Sequence, residues 1–223
     1  MTERRRGFFI TFEGIDGCGK STQMCLLAER LRREGHRVFE TVEPGGTSIG
    51  RQVRRILLDA KNQELCPTAE LLLYFACRAQ NVEEWILPAL ERGEIVVSDR
   101  FTDSTMAYQG VGRGLGEDVV RDLHRIACRD LTPDLTLVID IDLETSLERA
   151  RTRNRELADT GAAPETRMDD QAVEFHRRVR GAYAAMVQVE PERFVVIDGR
   201  ADVESVARAV WEAVAPRVGG LHV

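Results

Sequence analysis

The residues best suited to chemistry gather in one short run, Gly14-Ile15-Asp16-Gly17-Cys18-Gly19-Lys20-Ser21-Thr22, which satisfies G-x-x-x-x-G-K-[S/T] in full. That spacing serves polyphosphate binding. Its glycines let the backbone curl until successive N–H groups converge, and a helix opening at Lys20 adds the positive end of its dipole. Lys20 then reaches the β- and γ-phosphates, and the Ser21 hydroxyl a magnesium ion bridging them. Cys18 fills a free position and implies no chemistry. All of Gly14 to Thr22 is expected to bind nucleotide.

A second set of polar groups lies further along. Asp99 and Arg100 follow directly on the apolar run Glu94 to Ser98. Ligands of a parallel sheet bind outside the carboxyl ends of its strands, so this pair is expected beside the phosphate loop. Ser104, Tyr108 and Gln109 are hydrogen-bonding candidates in a glycine-rich stretch, Phe101 to Gly116, expected to be a binding loop with a short helix. Phe75 and Arg78 share a helix face, where the residues alone favour a core phenylalanine beside a surface arginine. Arg51, Arg54 and Arg55 lie off an apolar stripe of Ile49, Val53, Ile56 and Leu57, the ordinary place for solvated charge.

Strands and helices that would position these groups alternate along the chain. Phe8 to Glu13 is an apolar strand, and Ser21 to Glu34 a helix stopped by Gly35. Arg37 to Val42 is a second strand, Glu43 to Thr47 a turn, and Ser48 to Ala60 a helix. Pro67 starts a long helix over Thr68 to Trp85, bent near Pro88 and ended by Gly93. After helix Glu117 to Cys128, Leu135 to Ile141 is a strand apolar on both faces. Leu143 to Arg155 starts as a helix and becomes a run of cations, Arg149, Arg151, Arg153 and Arg155. Glu156 to Glu165 lacks apolar periodicity and suggests a connection. Arg149 to Met168 reads equally as a lid or as a charged helix end. Helix Asp170 to Gln188, strand Arg193 to Ile197 and helix Asp202 to Val214 complete the chain. Alternation of this kind implies an α/β fold with a parallel sheet covered on both faces.

The 223 residues suffice for one domain, 1–223, and show no internal repeat. A formal charge of −6 argues against a nucleic-acid-coating surface. Five cysteines without a C-x-x-C pair indicate neither a zinc site nor a disulfide framework, and fit a reducing cytoplasm. The apolar run after basic Met1 to Gly7 is too short for a signal or a membrane span.

Five segments in order carry a family resemblance: Phe12-Glu13-Gly14-Ile15-Asp16-Gly17; Glu43-Pro44-Gly45-Gly46-Thr47; Leu72 to Gln80; Asp99-Arg100-Phe101-Thr102-Asp103-Ser104 with Ala107-Tyr108-Gln109-Gly110; and Pro133-Asp134-Leu135-Thr136. Together they resemble the bacterial thymidylate kinases, from about Phe9 to the last helix. The resemblance implies a P-loop nucleoside monophosphate kinase fold, with a five-stranded parallel sheet between helices. It also implies conversion of dTMP and ATP into dTDP and ADP with Mg2+, and a homodimer formed by helix packing, for which Leu71 to Leu87 is the candidate surface.

Residue roles follow from the same resemblance. Lys20, Arg100 and Arg153 become catalytic, and Asp16 lies near the sugar 3′-hydroxyl and, with Ser21, the metal. Phe75 stacks on thymine and Arg78 bonds the base edge. Arg54 and Arg100 hold the acceptor phosphate, while Ser104, Tyr108 and Gln109 complete the nucleoside pocket, the tyrosine crowding a ribose 2′-hydroxyl. Some members carry an arginine immediately after the loop aspartate, and others draw arginines from the lid. Gly17 resembles the second type, which gives Arg149 to Arg155 a task. The lid motif Asp-Arg-apolar-Glu survives loosely, as Thr166-Arg167-Met168-Asp169. Rival readings are a kinase of another monophosphate and a nucleotide-controlled interaction module; Phe75, Arg78, Ser104 and Gln109 favour an acceptor pocket over a switch.

Overall fold

β1 (Phe8–Glu13) alternates its side chains between two cores, Phe9 on one side and Ile10 and Phe12 on the other, all without solvent exposure. Two-sided burial is what helices on both faces of a parallel strand impose. The computed structural model describes residues 6–159, 166–169 and 171–220, with backbone only at 153 and 156–159. After β1 come α1 (Lys20–Arg33), β2 (Val38–Val42), α2 (Ser48–Leu58), α3 (Pro67–Asn81), α4 (Leu87–Glu91), β3 (Ile95–Asp99) and α5 (Thr102–Thr105). Then follow α6 (Glu117–Cys128), β4 (Leu135–Asp140), α7 (Leu143–Asp159), α8 (Val173–Val189), β5 (Phe194–Asp198) and α9 (Val203–Val218). The five strands pair in parallel, in the order β2-β3-β1-β4-β5. This is the expected sheet.

One face is covered by α1, α8 and α9 through Leu27, Leu31, Val179, Val206 and Val210. The other is covered by α3, α4 and α6 through Leu71, Phe75, Leu90 and Val120. A π-helical turn at Val82–Ile86 joins α3 to α4. Pro88 has no N–H and its ring crowds the carbonyl one turn back, so the wider turn just before it accommodates the clash.

Three expectations change. Phe101 to Gly116 is mostly helical, α5 running into a π-helical turn at Met106–Gly112. Its polar side chains Asp103, Ser104, Thr105 and Gln109 point inward and are buried, so the segment imitates a loop in sequence. α7 continues past Arg155 to Asp159; the remainder of the expected connection, 160–165, lies outside the described residues. The apolar stripe of α2 does not all face the core, since Ile49 and Ile56 are 52% and 46% exposed. α2 instead meets α3 closely at Gly50, where a Cβ would lie 3.0 Å from Cys77 Sγ.

Candidate active site

At the end of β1 the chain turns at once, with φ of 131°, 82° and 99° at Gly14, Gly17 and Gly19. These are values a side chain disfavours, so the glycines are required. Gly19 caps α1 without a side-chain hydrogen bond, leaving first-turn amides for an anion. Lys20 Nζ donates to the carbonyls of Gly14 at 3.1 Å and Ile15 at 2.9 Å, arching over the loop. Ile15 and Cys18 are buried, so they offer the loop only their backbone. Ser21 Oγ donates to Asp99 Oδ2 at 2.5 Å. Asp99, marked in the sequence only by its place at a strand end, thereby joins the phosphate loop.

Beside the loop opens a cavity of about 300 Å³. Asp16, Lys20 and Ser21 border it at one end, and Arg54, Arg78, Arg100, Ser104, Tyr108 and Gln109 form its other walls. Arg100 follows β3 with φ of 71°. Its Nη2 donates to Asp16 Oδ1 at 2.7 Å, and its Nη1 to Ser104 Oγ at 2.8 Å and the Gly14 carbonyl at 3.1 Å. Tyr108 Oη donates to Asp16 Oδ2 at 2.9 Å. Burial disfavours the Arg100 charge, but Tyr108 and Asp16 outweigh it and hold the guanidinium pKa well above its ordinary value. Arg54 Nη1 donates to the Pro44 carbonyl at 2.8 Å, which aims this arginine along the cavity wall.

Arg78 is buried, not the surface arginine its spacing suggested. Its Nε bonds Glu43 and its Nη2 donates to the Phe101 carbonyl at 3.2 Å. Asn81 Nδ2 donates to the second Glu43 oxygen at 3.0 Å. Burial pushes the Glu43 carboxyl pKa up, with Arg78 and Asn81 opposing. Arg78 Nη1 is buried without a partner among the described residues, and the residue borders the cavity. The guanidinium is thus held on a rigid mount at the cavity wall.

Phe75 requires correction. It does contact Arg78, whose guanidinium carbon lies 5.0 Å from the ring centroid. The ring itself is sealed in the core with Leu71 and Phe101, only 3% exposed, and does not border the cavity. Tyr74 does border it, one full helical turn before Arg78. Adjacent aromatic residues on a helix point about 100° apart, so the sequence offered two rings and only Tyr74 borders the cavity. Thr105 is a second residue the sequence left unmarked. It borders the cavity, is 1% exposed, and its hydroxyl has no partner among the described residues. Its signal appears only once Phe101 to Gly116 is known to be helical.

Of the residues expected to form a lid, Asn154 and Met168 border the cavity, as does Asp169 just beyond them, and Asn154 Nδ2 donates to Asp169 at 2.7 Å. Arg167 turns away: it is 2% exposed and bonds Glu70 at 2.7 Å. Glu70 also accepts from Gln109 Nε2 at 2.7 Å and pairs with Arg113 at 3.0 Å. Arg149, Arg151 and Arg155 are exposed. The Arg153 side chain, expected to be catalytic, lies outside the described residues.

Two anions can therefore approach one another at the carboxyl edge of this sheet, one over the glycine loop and one among arginines. That layout defines a P-loop nucleoside monophosphate kinase. The sequence profile of the thymidylate kinase family matches residues 12–210. Thymidylate kinase of Pelobacter propionicus is 50% identical over 92% of both chains. That of Citrifermentans bemidjiense is 51% identical over 96% of this chain and 94% of its own. The crystal structure of thymidylate kinase from Ehrlichia chaffeensis superposes with a TM-score of 0.75 at 35% identity, covering 94% of this chain and 98% of that one. The chain belongs to the thymidylate kinase family.

Proposed function

We propose that the protein transfers the γ-phosphoryl group of ATP to dTMP, giving dTDP and ADP. The observation that carries this reading is the single cavity running from Lys20 and Ser21 to Tyr74 and Arg78. A phosphate monoester has a second pKa of about 6, so the acceptor is already an ionised nucleophile at neutral pH and no general base is needed. What must be overcome is repulsion between anions. Lys20 neutralises the donor, Arg54 and Arg100 the acceptor, and Arg153 from a lid at 149–168 the group in flight. Tyr74 takes the base-stacking role, and the free Nη1 of Arg78 donates to a base carbonyl. Ser104, Gln109 and Thr105 complete the pocket. Tyr108, held by Asp16 and Arg100, stands where a ribose 2′-hydroxyl would project.

The oxygen donors at the loop suit a hard cation. Ser21, Asp99 and Asp16 all border the cavity, and Mg2+ is typically held by one or two carboxylates together with substrate phosphates and water. When bound, the ion neutralises charge across the β- and γ-phosphates. Exposed Ile49, Ile56 and Leu72 on α2 and α3 support a two-fold homodimer through these helices. The protein acts as one kinase domain, 1–223, in the cytoplasm; no described helix is long and apolar enough to cross a membrane. An acceptor panel of dTMP, dUMP, dCMP, dGMP and AMP with ATP tests the reading. dTMP should give the highest kcat/KM, and a clear preference for another acceptor refutes it.

A further inference from the structure

We infer that Glu13, which touches neither nucleotide site, is the positioning residue that sets Arg100 for the acceptor phosphate. The inference rests on the assignment of Arg100 to that phosphate. Glu13 ends β1, is fully buried, and does not border the cavity. Its carboxylate grips Arg100 at both ends. Oε1 accepts from the Phe101 amide at 2.8 Å, the peptide immediately after Arg100. Arg100 holds a left-handed φ of 71°, a conformation that a residue with a side chain keeps only where its surroundings fix it. Ser98 Oγ secures the other side by donating to the Arg100 carbonyl at 2.7 Å.

At the guanidinium end, Oε2 accepts from Ser104 Oγ at 2.6 Å and Tyr183 Oη at 2.8 Å. Both hydroxyls also meet Arg100 Nη1, at 2.8 Å and 3.4 Å. A hydroxyl has one proton and two lone pairs. The two hydroxyls also lie 3.0 Å from each other, but an ionised carboxylate is the stronger acceptor, so with Glu13 ionised both protons point at Oε2 and the lone pairs are left for Arg100. The carboxylate thus dictates the direction of two hydrogen bonds it does not itself make. A neutral acid or amide in its place offers a donor there, turns a hydroxyl around, and aims a proton at the guanidinium.

The charges around Glu13 are Arg100 and Asp103 from the segment after β3, Arg78 from α3 and Tyr183 from α8, with Asp16 and Tyr108 reached through Arg100. Burial first, then Asp103, raise its carboxyl pKa to about 7, against Arg100 and the Ser104 and Tyr183 hydrogen bonds. Glu13 therefore passes from neutral to charged as pH rises through about 7, and kcat should rise with it.

Glu13→Gln, Glu13→Asp, Tyr183→Phe and Arg100→Ala, compared in the full enzyme by steady-state kinetics across pH, provide the test. For Glu13→Gln we expect kcat to fall about 10- to 100-fold and dTMP KM to rise several-fold, with ATP KM unchanged. The part of the kcat rise centred at about pH 7 should disappear in Glu13→Gln, leaving only the rise of the acceptor phosphate at about pH 6, and should survive in Glu13→Asp. Wild-type kcat, dTMP KM and pH profile in Glu13→Gln would overturn the inference. Should that variant fail to fold, Tyr183→Phe decides, since it deletes only the second hydroxyl: a raised dTMP KM supports the inference, and an unchanged one overturns it. Arg100→Ala separates the two levels of argument. Unaltered dTMP KM there refutes the Arg100 assignment itself, whereas a raised one beside a wild-type-like Glu13→Gln refutes only the role of Glu13.

Discussion

Gly17 of the phosphate loop lies against Ser146 of α7: a Cβ at position 17 would fall 2.2 Å from the Ser146 carbonyl oxygen. Ser146 Oγ in turn donates to the Asp16 carbonyl. The loop and the start of α7 are therefore packed together. An arginine after the loop aspartate, the alternative that the family resemblance implies for some members, would have no room here while α7 is in place.

Gly17→Ala tests that contact. The left-handed φ of 82° strains any side chain by about 1–3 kcal/mol, and Ser146 must also retreat. Each kcal/mol lowers the melting temperature by about 2–4 °C in a chain of this size. Calorimetry should record that fall, and kinetics a raised ATP KM with little change for dTMP. Equal effects on both substrates would place the disturbance beyond the loop.

Tyr74 and Phe75 should separate cleanly. Stacking of a base on an aromatic ring is worth about 1–3 kcal/mol by alanine substitution, so Tyr74→Ala should raise dTMP KM by about 5- to 150-fold at near-normal stability. Tyr74→Phe keeps the ring and should bind normally. Phe75→Ala leaves a core cavity and should cost about 3–5 kcal/mol of stability, while the folded enzyme keeps its dTMP KM. Denaturant unfolding alongside dTMP titration distinguishes the two.

That pair also marks where sequence reasoning stops. The phosphate loop was legible because glycines, lysine and serine are tied to fixed backbone positions. The sheet was legible because buried strands such as β4 are apolar on both faces. Helical spacing, by contrast, indicates that 74, 75 and 78 are neighbours without saying which ring meets solvent, since α3 is flanked by core and cavity alike. The α5 region misled for a related reason: Asp103, Ser104 and Gln109 are polar yet buried, paired with Arg193, Glu13 and Glu70. Those partners are distant in sequence. Glu13 was visible only as part of a motif, and its role depends on three segments that the fold brings together.

Arg153→Ala should lower kcat by about 10³-fold or more with dTMP KM little changed, as removal of an arginine acting on the transferred phosphoryl does. Single-turnover measurement with saturating ATP isolates that step. An unchanged rate would pass the role to Arg149 or Arg151, the exposed arginines nearer the loop on the same helix.

Glu70 anchors Arg167 and with it the segment 166–169 beside the cavity. Its buried carboxylate meets Arg113, Arg167 and Gln109, and burial, which alone would raise its pKa, is outweighed by the Arg113 and Gln109 hydrogen bonds, leaving the pKa below its ordinary value. A depressed carboxylate pKa stabilises the folded state above the unfolded value near 4.5, and that contribution is lost as pH falls through the folded pKa. Glu70→Gln leaves two arginines facing a neutral amide, at a cost of about 3–5 kcal/mol at neutral pH. It also releases the Gln109 amide that Glu70 orients, so dTMP KM should rise. Melting temperatures of wild type and Glu70→Gln should differ most near pH 7 and converge below the ordinary carboxylate range. A gap constant from neutral to acid pH would mean that ionised Glu70 is not what holds Arg113 and Arg167, and the lid end would have to be secured by the backbone bond from Arg167 to Leu58 instead.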